Sequence, residues 1–154
     1  MGVKPTVELW TDGACSRNPG PGGWAAVLRF GDSERELVGH DPQTTNNRME
    51  LEAVVEGLRA LTKPCRVLVH TDSAYVRNAV FKQWIDGWQR NGWRTKAKTP
   101  VANRELWEAL LGAMREHDVE WIPVKGHAGV ELNERCDRLA VEACRGGAPS
   151  PRAA

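Results

Sequence analysis

Thr45-Asn46-Asn47-Arg48-Met49-Glu50-Leu51-Glu52-Ala53-Val54-Val55-Glu56-Gly57-Leu58-Arg59-Ala60-Leu61 is where the hydrophobic period of the chain changes. Leu51, Val54, Val55, Leu58 and Leu61 follow the spacing of one buried helical face, and the helix must end before Pro64. Upstream the period is two. Val7 to Asp12 alternates Val7, Leu9 and Thr11 with Glu8, Trp10 and Asp12, as a strand does. Trp24 to Phe30 and Glu34 to His40 read as two more strands. Asn18-Pro19-Gly20-Pro21-Gly22-Gly23 forms the turn before them, and Gly31-Asp32 the turn between. Connections this short make the three strands an antiparallel meander.

Downstream of the helix, Val67-Leu68-Val69 suits a strand buried on both faces. A second helix starts near Ser73, a suitable N-cap, and Gly87 and Gly92 are expected to break or bend any helix through the stretch that follows. Leu106, Leu110, Leu111 and Met114 mark another helix, Val119 to Val124 a strand, and Cys136, Leu139, Ala140, Ala143 and Cys144 a closing helix. The order β-β-β-α-β-α-α-β-α predicts a mixed α/β domain: one five-stranded mixed sheet, led by the meander, with helices on its faces. Residues 1–145 form this domain, and the Gly-, Pro- and Ala-rich residues 146–154 read as a disordered tail.

With 154 residues, 41% apolar and 27% charged, the chain has the size and composition of one globular domain. It has no apolar run of membrane-span length and no apolar signal-peptide core, so a cytoplasmic protein is expected. Cys15, Cys65, Cys136 and Cys144 show no C-x-x-C pairing, which argues against zinc and disulfide frameworks. Net charge is only +1, yet residues 77–104 hold Arg77, Lys82, Arg90, Arg94, Lys96, Lys98 and Arg104 against Asp86 alone. That local excess invites a polyanion.

Two strands end alike, in Thr11-Asp12-Gly13 and Thr71-Asp72-Ser73, and ligands of open α/β sheets bind beyond the carboxyl ends of strands. Glu50 and Asp137 border the buried stripes of the first and last helices. Each acid alone reads equally as a solvated charge or a cap. If the four converge, each like-charged pair costs ~3 kcal/mol at ~5 Å and an effective dielectric of ~20. Two divalent ions cancel the four charges, and hard oxygen ligands favour magnesium or manganese over zinc. Such a pair of ions serves in-line phosphoryl displacement.

Thr11-Asp12-Gly13, Asn18 to Gly23, Thr44 to Glu50, Thr71 to Ser73 and Val124 to Gly129, the last followed by Asn133-Glu134-Arg135-Cys136-Asp137, closely resemble type I ribonuclease H, which cleaves RNA in RNA/DNA hybrids. The segments fall in the family's order from about residue 5 to 145. The resemblance implies a ribonuclease H-like fold, and Asp12, Glu50, Asp72 and Asp137 as metal-binding catalytic acids. Asp12 would touch both magnesium ions, Asp72 and Glu50 one, and Asp137 the other, with manganese as a substitute. His127, in a mobile Gly-His-Ala-Gly segment, would assist proton transfer or product departure. The implied products are a 5′-phosphate and a 3′-hydroxyl, formed without an organic cofactor or a covalent intermediate. His40, His70 and His117 are expected to be structural.

Trp84, Trp88 and Trp93 lie within the basic stretch and Trp107 just after it. With Arg90 and Arg94, they read as a nucleic-acid surface. Trp10 and Trp24 read as core, while Trp121 stays undecided. The resemblance makes Trp84 to Thr99 a basic protrusion on the DNA strand, with Asn18 and Thr45 at a DNA phosphate. Cys15, Asn46 and Asn47 would face the RNA and the minor groove, where the 2′-hydroxyl distinguishes RNA. The glycines after Cys15 would let backbone approach that groove. Ala74, Gln89, Ala102 and one extra residue before Trp84 depart from the family pattern, so some hybrid contacts are expected to be weaker. The partner is a hybrid duplex with no membrane, and a monomer is expected. A resolvase or exonuclease is the rival enzyme, and a non-catalytic hybrid-binding module the rival outside enzymes; all four acids being present counts against the second.

Overall fold

The computed structural model describes residues 4–124 and 131–146. Strands β1 (Thr6–Cys15), β2 (Gly20–Phe30) and β3 (Ser33–Thr44) lead into helix α1 (Asn46–Arg59). Strand β4 (Arg66–Thr71), helices α2 (Ala74–Phe81), α3 (Trp84–Asn91) and α4 (Arg104–Met114), strand β5 (Asp118–Pro123) and helix α5 (Glu131–Gly146) follow. The five strands form one sheet in the order β3-β2-β1-β4-β5. The first three pair antiparallel, and β4 pairs parallel with both β1 and β5. The mixed sheet and its leading meander are those expected from the alternating and helical periods.

The strand alternation sorts the core into two layers. Val7 and Leu9 join α1, α4 and Trp107 on one face, whereas Trp10, Ala25, Val27 and Val38 pack against Cys136, Ala140 and Ala143 of α5 on the other. Helix α1 begins where Thr45 caps it, its hydroxyl accepting from the Arg48 N–H. Ser73 caps α2 in the same way, accepting from the Val76 N–H. Trp10 is buried and Trp24 packs on the first core layer, as expected. Trp121, undecided in the sequence, is half-buried against that same layer. His40 Nδ1–H donates to the Ala143 carbonyl (3.0 Å), His70 stacks on Trp10, and His117 Nδ1 accepts from the Cys65 N–H (3.0 Å), all structural settings.

Three features differ from the sequence reading. Gly87 lies inside α3 rather than ending a helix, because a side chain there would meet open space while Ile85 is buried and Trp88 packs on the core. The break comes at Gly92, whose φ of 79° closes α3, and the order therefore holds three helices between β4 and β5. The glycine-rich segment turns only to Pro19, and Gly20 already begins β2. The expected tail is helical at its first residue, since α5 reaches Gly146, and the rest of it lies outside the described residues.

Candidate active site

The parallel register of β1 and β4 runs from Thr6 beside Arg66 to Trp10 beside His70. Asp12 stands two residues further along β1, and Asp72 directly follows the last residue of β4, at that strand's carboxyl end. Glu50 arrives from α1, as its fifth residue. It can come close because residue 13 is glycine: a Cβ there would lie 2.6 Å from the Glu50 nitrogen and 2.7 Å from the Met49 carbonyl carbon. One oxygen each from Asp12, Glu50 and Asp72 lies within 4.8 Å of the others.

Asp12 is 6% exposed and Glu50 7%. The Gly13 N–H donates to Asp12 Oδ1 at 2.9 Å, which favours the ionised form, but burial and the charges of Asp72 and Asp137 oppose it. Burial is the larger cause, and the Asp12 carboxyl is pushed up to about 7. Glu50 is driven well above the usual carboxylate range by burial, then by the charges of Asp12 and Asp72. Glu50 Oε1 is buried with no hydrogen-bond partner. Such crowded, undersatisfied oxygens are stable as anions only beside positive charge.

Asp137 sits on the exposed side of α5, next to the buried Cys136, whose thiol donates to the Trp10 carbonyl at 3.3 Å. It is outside the tight group of three, yet its charge acts on Asp12, so it borders the same site. Helix α5 approaches so closely because residue 23 of β2 is glycine: an added Cβ would collide with backbone atoms of Ala140 and Cys144. Gly22 and Gly23 are thus buried under the meander and α5 rather than presented to a groove. His127 lies outside the described residues.

Cys15, Asn18, Thr45, Asn46 and Asn47 gather in one patch where the β1–β2 turn meets the start of α1. Asn18 Oδ1 accepts from the Asn46 N–H at 3.1 Å, and the Cys15 thiol donates to the carbonyls of Arg17 (2.6 Å) and Thr44 (3.6 Å). Asn18 and Asn47 are exposed, and the other three half-buried. Trp84 is 41% exposed, with the Lys82 ammonium 5.8 Å from its ring centre, and Arg90 and Arg94 are exposed.

The aromatic expectation needs correction. Trp107 is fully buried, its indole N–H donating to the Tyr75 hydroxyl at 3.1 Å, and has no surface to offer a nucleic acid. It stands in phase with Leu110, Leu111 and Met114 on the apolar stripe of α4. Trp93 is also mostly buried (7%), with the Arg104 guanidinium 5.5 Å over its ring. Trp88 is half-buried, its ring tilted against those of Trp84, Trp93 and Trp107 at centroid distances of 6.4, 6.0 and 5.5 Å. Arg48 was missed by the sequence reading: its guanidinium donates to Asn103 Oδ1 (3.0 Å) and Glu105 Oε1 (3.2 Å). So was Asn133, buried on α5 one turn before Asp137 with Oδ1 unpartnered. A polar residue three or four positions from an acid on the same helix is the signal that finds it.

A five-stranded mixed sheet with acids at its carboxyl edge is the architecture of the ribonuclease H type. LC9-RNase H1, described as a type 1 RNase H with the type 2 active-site motif, superposes with a TM-score of 0.85 at 31% identity, covering 99% of this chain and 77% of its own. LC11-RNase H1, solved in complex with RNA/DNA hybrid, shares the fold with a TM-score of 0.69 at 23% identity, covering 92% of this chain and 98% of its own. The family model described as RNase H matches residues 4–145, and the chain belongs to this family of enzymes. Curated relatives named Ribonuclease H agree: that of Hyphomonas neptunium is 56% identical over 140 residues (91% of this chain, 93% of the relative), and that of a Bradyrhizobium species 57% identical over 140 residues (91% and 90%).

Proposed function

We propose that this ribonuclease H hydrolyses the RNA strand of RNA/DNA hybrids, leaving a 5′-phosphate and a 3′-hydroxyl. The observation that carries the reading is the approach of Asp12, Glu50 and Asp72 oxygens to within 4.8 Å of one another inside a nearly buried site. Their chemistry fits divalent cations: all donors are hard oxygens, and Glu50 Oε1 is buried without a partner. Asp12, Glu50 and Asp72 would hold one magnesium ion, and Asp12 with Asp137 a second, with manganese as a substitute. When bound, two such ions supply Lewis acidity at the scissile phosphate and offset charge on the attacking and leaving oxygens.

The protein's own part is to bring the acids together and to hold the duplex. Gly13 fixes Glu50 against Asp12, and the β1–β4 register fixes Asp12 against Asp72. The hybrid backbone would lie across the exposed Trp84 and the cations of Arg90 and Arg94, with Trp88 supporting Trp84 from beneath. Asn18 and Thr45 would take a DNA phosphate, and Cys15, Asn46 and Asn47 the minor-groove side, where a 2′-hydroxyl both donates and accepts. His127 keeps the role of assisting proton transfer or product departure. That a structural relative of this fold was solved with RNA/DNA hybrid supports the choice of substrate. No helix among the described residues is long and apolar enough to cross a membrane. A cytoplasmic monomer that needs no organic cofactor is part of the proposal.

The experiment is cleavage of an end-labelled RNA/DNA hybrid with magnesium, with chelator, DNA duplex and single-stranded RNA as controls. Magnesium-dependent cutting of the hybrid alone, with 5′-phosphate ends, supports the reading. Efficient cutting of DNA duplex returns the chain to the rival nuclease class.

A further inference from the structure

The protrusion leaves the body at Gln83 and rejoins it at Asn103, and both residues take left-handed backbone conformations, with φ of 59° and 62°. Between them the loop closes on itself: Thr95 N–H donates to the Thr99 carbonyl, Val101 N–H to that of Trp93, and the Arg94 guanidinium to the Lys98 carbonyl. Its buried Ile85, Trp93 and Val101 seat it on the core, and the polar contacts at the two junctions add to its orientation against the acids. The Gln83 junction makes no side-chain cap. Asn103 is different. It precedes α4 as the N-cap residue, a place where asparagine ordinarily bonds its own helix, but its side chain makes no such bond. Instead its Oδ1 accepts from Arg48 on α1, and its Nδ2 donates to the Tyr75 hydroxyl on α2 at 3.1 Å.

Tyr75 is the node of this junction. Its oxygen accepts from two donors, Asn103 Nδ2 and the buried Trp107 Nε1, and its ring packs on Trp107 at 5.3 Å. A phenolic oxygen has capacity for both acceptances. The network also touches the elements that carry the acids: Arg48 is two residues before Glu50, and Tyr75 three residues after Asp72. Trp107 continues it to Trp88 and so to the exposed Trp84.

We propose that Tyr75 is a positioning residue: through Asn103 its hydroxyl holds the basic protrusion in the orientation that lets a hybrid reach the protrusion and the acids at once. This inference rests on the proposed function. Loss of the hydroxyl leaves the acids and their spacing in place but loosens the protrusion, so it weakens hybrid capture rather than the chemical step. The test is steady-state cleavage of one RNA/DNA hybrid in magnesium by the unmodified protein, Tyr75→Phe, Asn103→Gly and the double variant. Glycine suits the backbone at position 103, and phenylalanine keeps the ring at 75.

Tyr75→Phe is expected to raise KM about 3- to 10-fold, the worth of one hydrogen bond, with kcat within about twofold. Asn103→Gly, which also removes the Arg48 bond, is expected to raise KM at least as much, and the double variant no further than Asn103→Gly alone, because both changes remove the Asn103–Tyr75 bond. A folded Tyr75→Phe protein with unchanged KM overturns the proposal, as do KM increases that multiply in the double variant. If Tyr75→Phe does not fold, an unchanged KM in Asn103→Gly overturns it. Failure of the unmodified protein to cut the hybrid refutes the proposed function, whereas normal cutting with a normal KM in the variants refutes the role of Tyr75 alone.

Discussion

The acid site and the basic protrusion are built on opposite principles. The acid site crowds acids into a nearly buried corner, where loss of water is the main cause that raises the carboxyls of Asp12 and Glu50 above their usual range. The protrusion spreads its cations over exposed surface and buries most of its tryptophan. Trp107 and Trp93 are core, and Trp84 alone of the four exposes more than a third of its surface. Chemistry requires groups held under electrostatic strain, and a polyanion-binding surface requires charges that stay hydrated until phosphates arrive. Substitutions in the two regions should therefore fail in different ways.

Asp12→Asn should break the acid side most severely, lowering hybrid cleavage about 10³-fold or more while binding persists, as measured by turnover beside a binding assay in chelator. Retained turnover would remove Asp12 from the metal site. Gly13→Ala, which drives a methyl group into the backbone of α1, should lower stability by about 1–3 kcal/mol and activity at least about tenfold. Denaturant melts and kinetics together check it, and normal values in both would refute the close approach as the device that places Glu50.

On the other side, Trp107→Ala should cost about 3–5 kcal/mol of stability by emptying a core site. Trp84→Ala should leave stability almost unchanged and raise KM several-fold, since stacking on a base is worth ~1–3 kcal/mol. A Trp84→Ala protein with an unchanged KM would return that ring to a packing role and erase the contrast.

The smallest effect concerns pH. In the metal-free protein the Asp12 carboxyl is raised to about 7 from an ordinary 3.8, so between those values the folded state binds more protons than the unfolded one. Its contribution to stability is therefore fully present below about 4 and is lost as pH rises through about 7. Asp12→Asn should stabilise the metal-free protein at pH 8 by about 1–2 kcal/mol. Magnesium should raise the Tm of the unmodified protein more at pH 8 than at pH 5. Equal melting of the variant and the unmodified protein in chelator would show that the acids do not repel.

The five strands, α1, α5 and the caps at Ser73 were legible because each rests on local periodicity or a single capping hydroxyl. The path of α3 through Gly87 was not, since tolerance of that glycine depends on the open space around it. Asp12, Glu50, Asp72 and Asp137 were recognisable from their short motifs, but their burial was not. Trp107 was legible in principle, standing in phase with Leu110, Leu111 and Met114. The pull of the neighbouring basic residues outweighed that phase. Gly22 and Gly23 read as part of a turn, although their missing side chains make room for α1 and α5.

By itself the sequence determined the order of elements, the residue types available for metal and phosphate, and the excess positive charge of residues 77–104, because these are properties of local pattern. Only the tertiary structure decided how near the acids come, which tryptophans face water, and that Tyr75, Asn103 and Arg48 meet. Such outcomes depend on distances between segments far apart in the chain, and those distances are set by packing, where one absent methyl group at Gly13 or Gly23 determines how closely a helix can lie on the sheet.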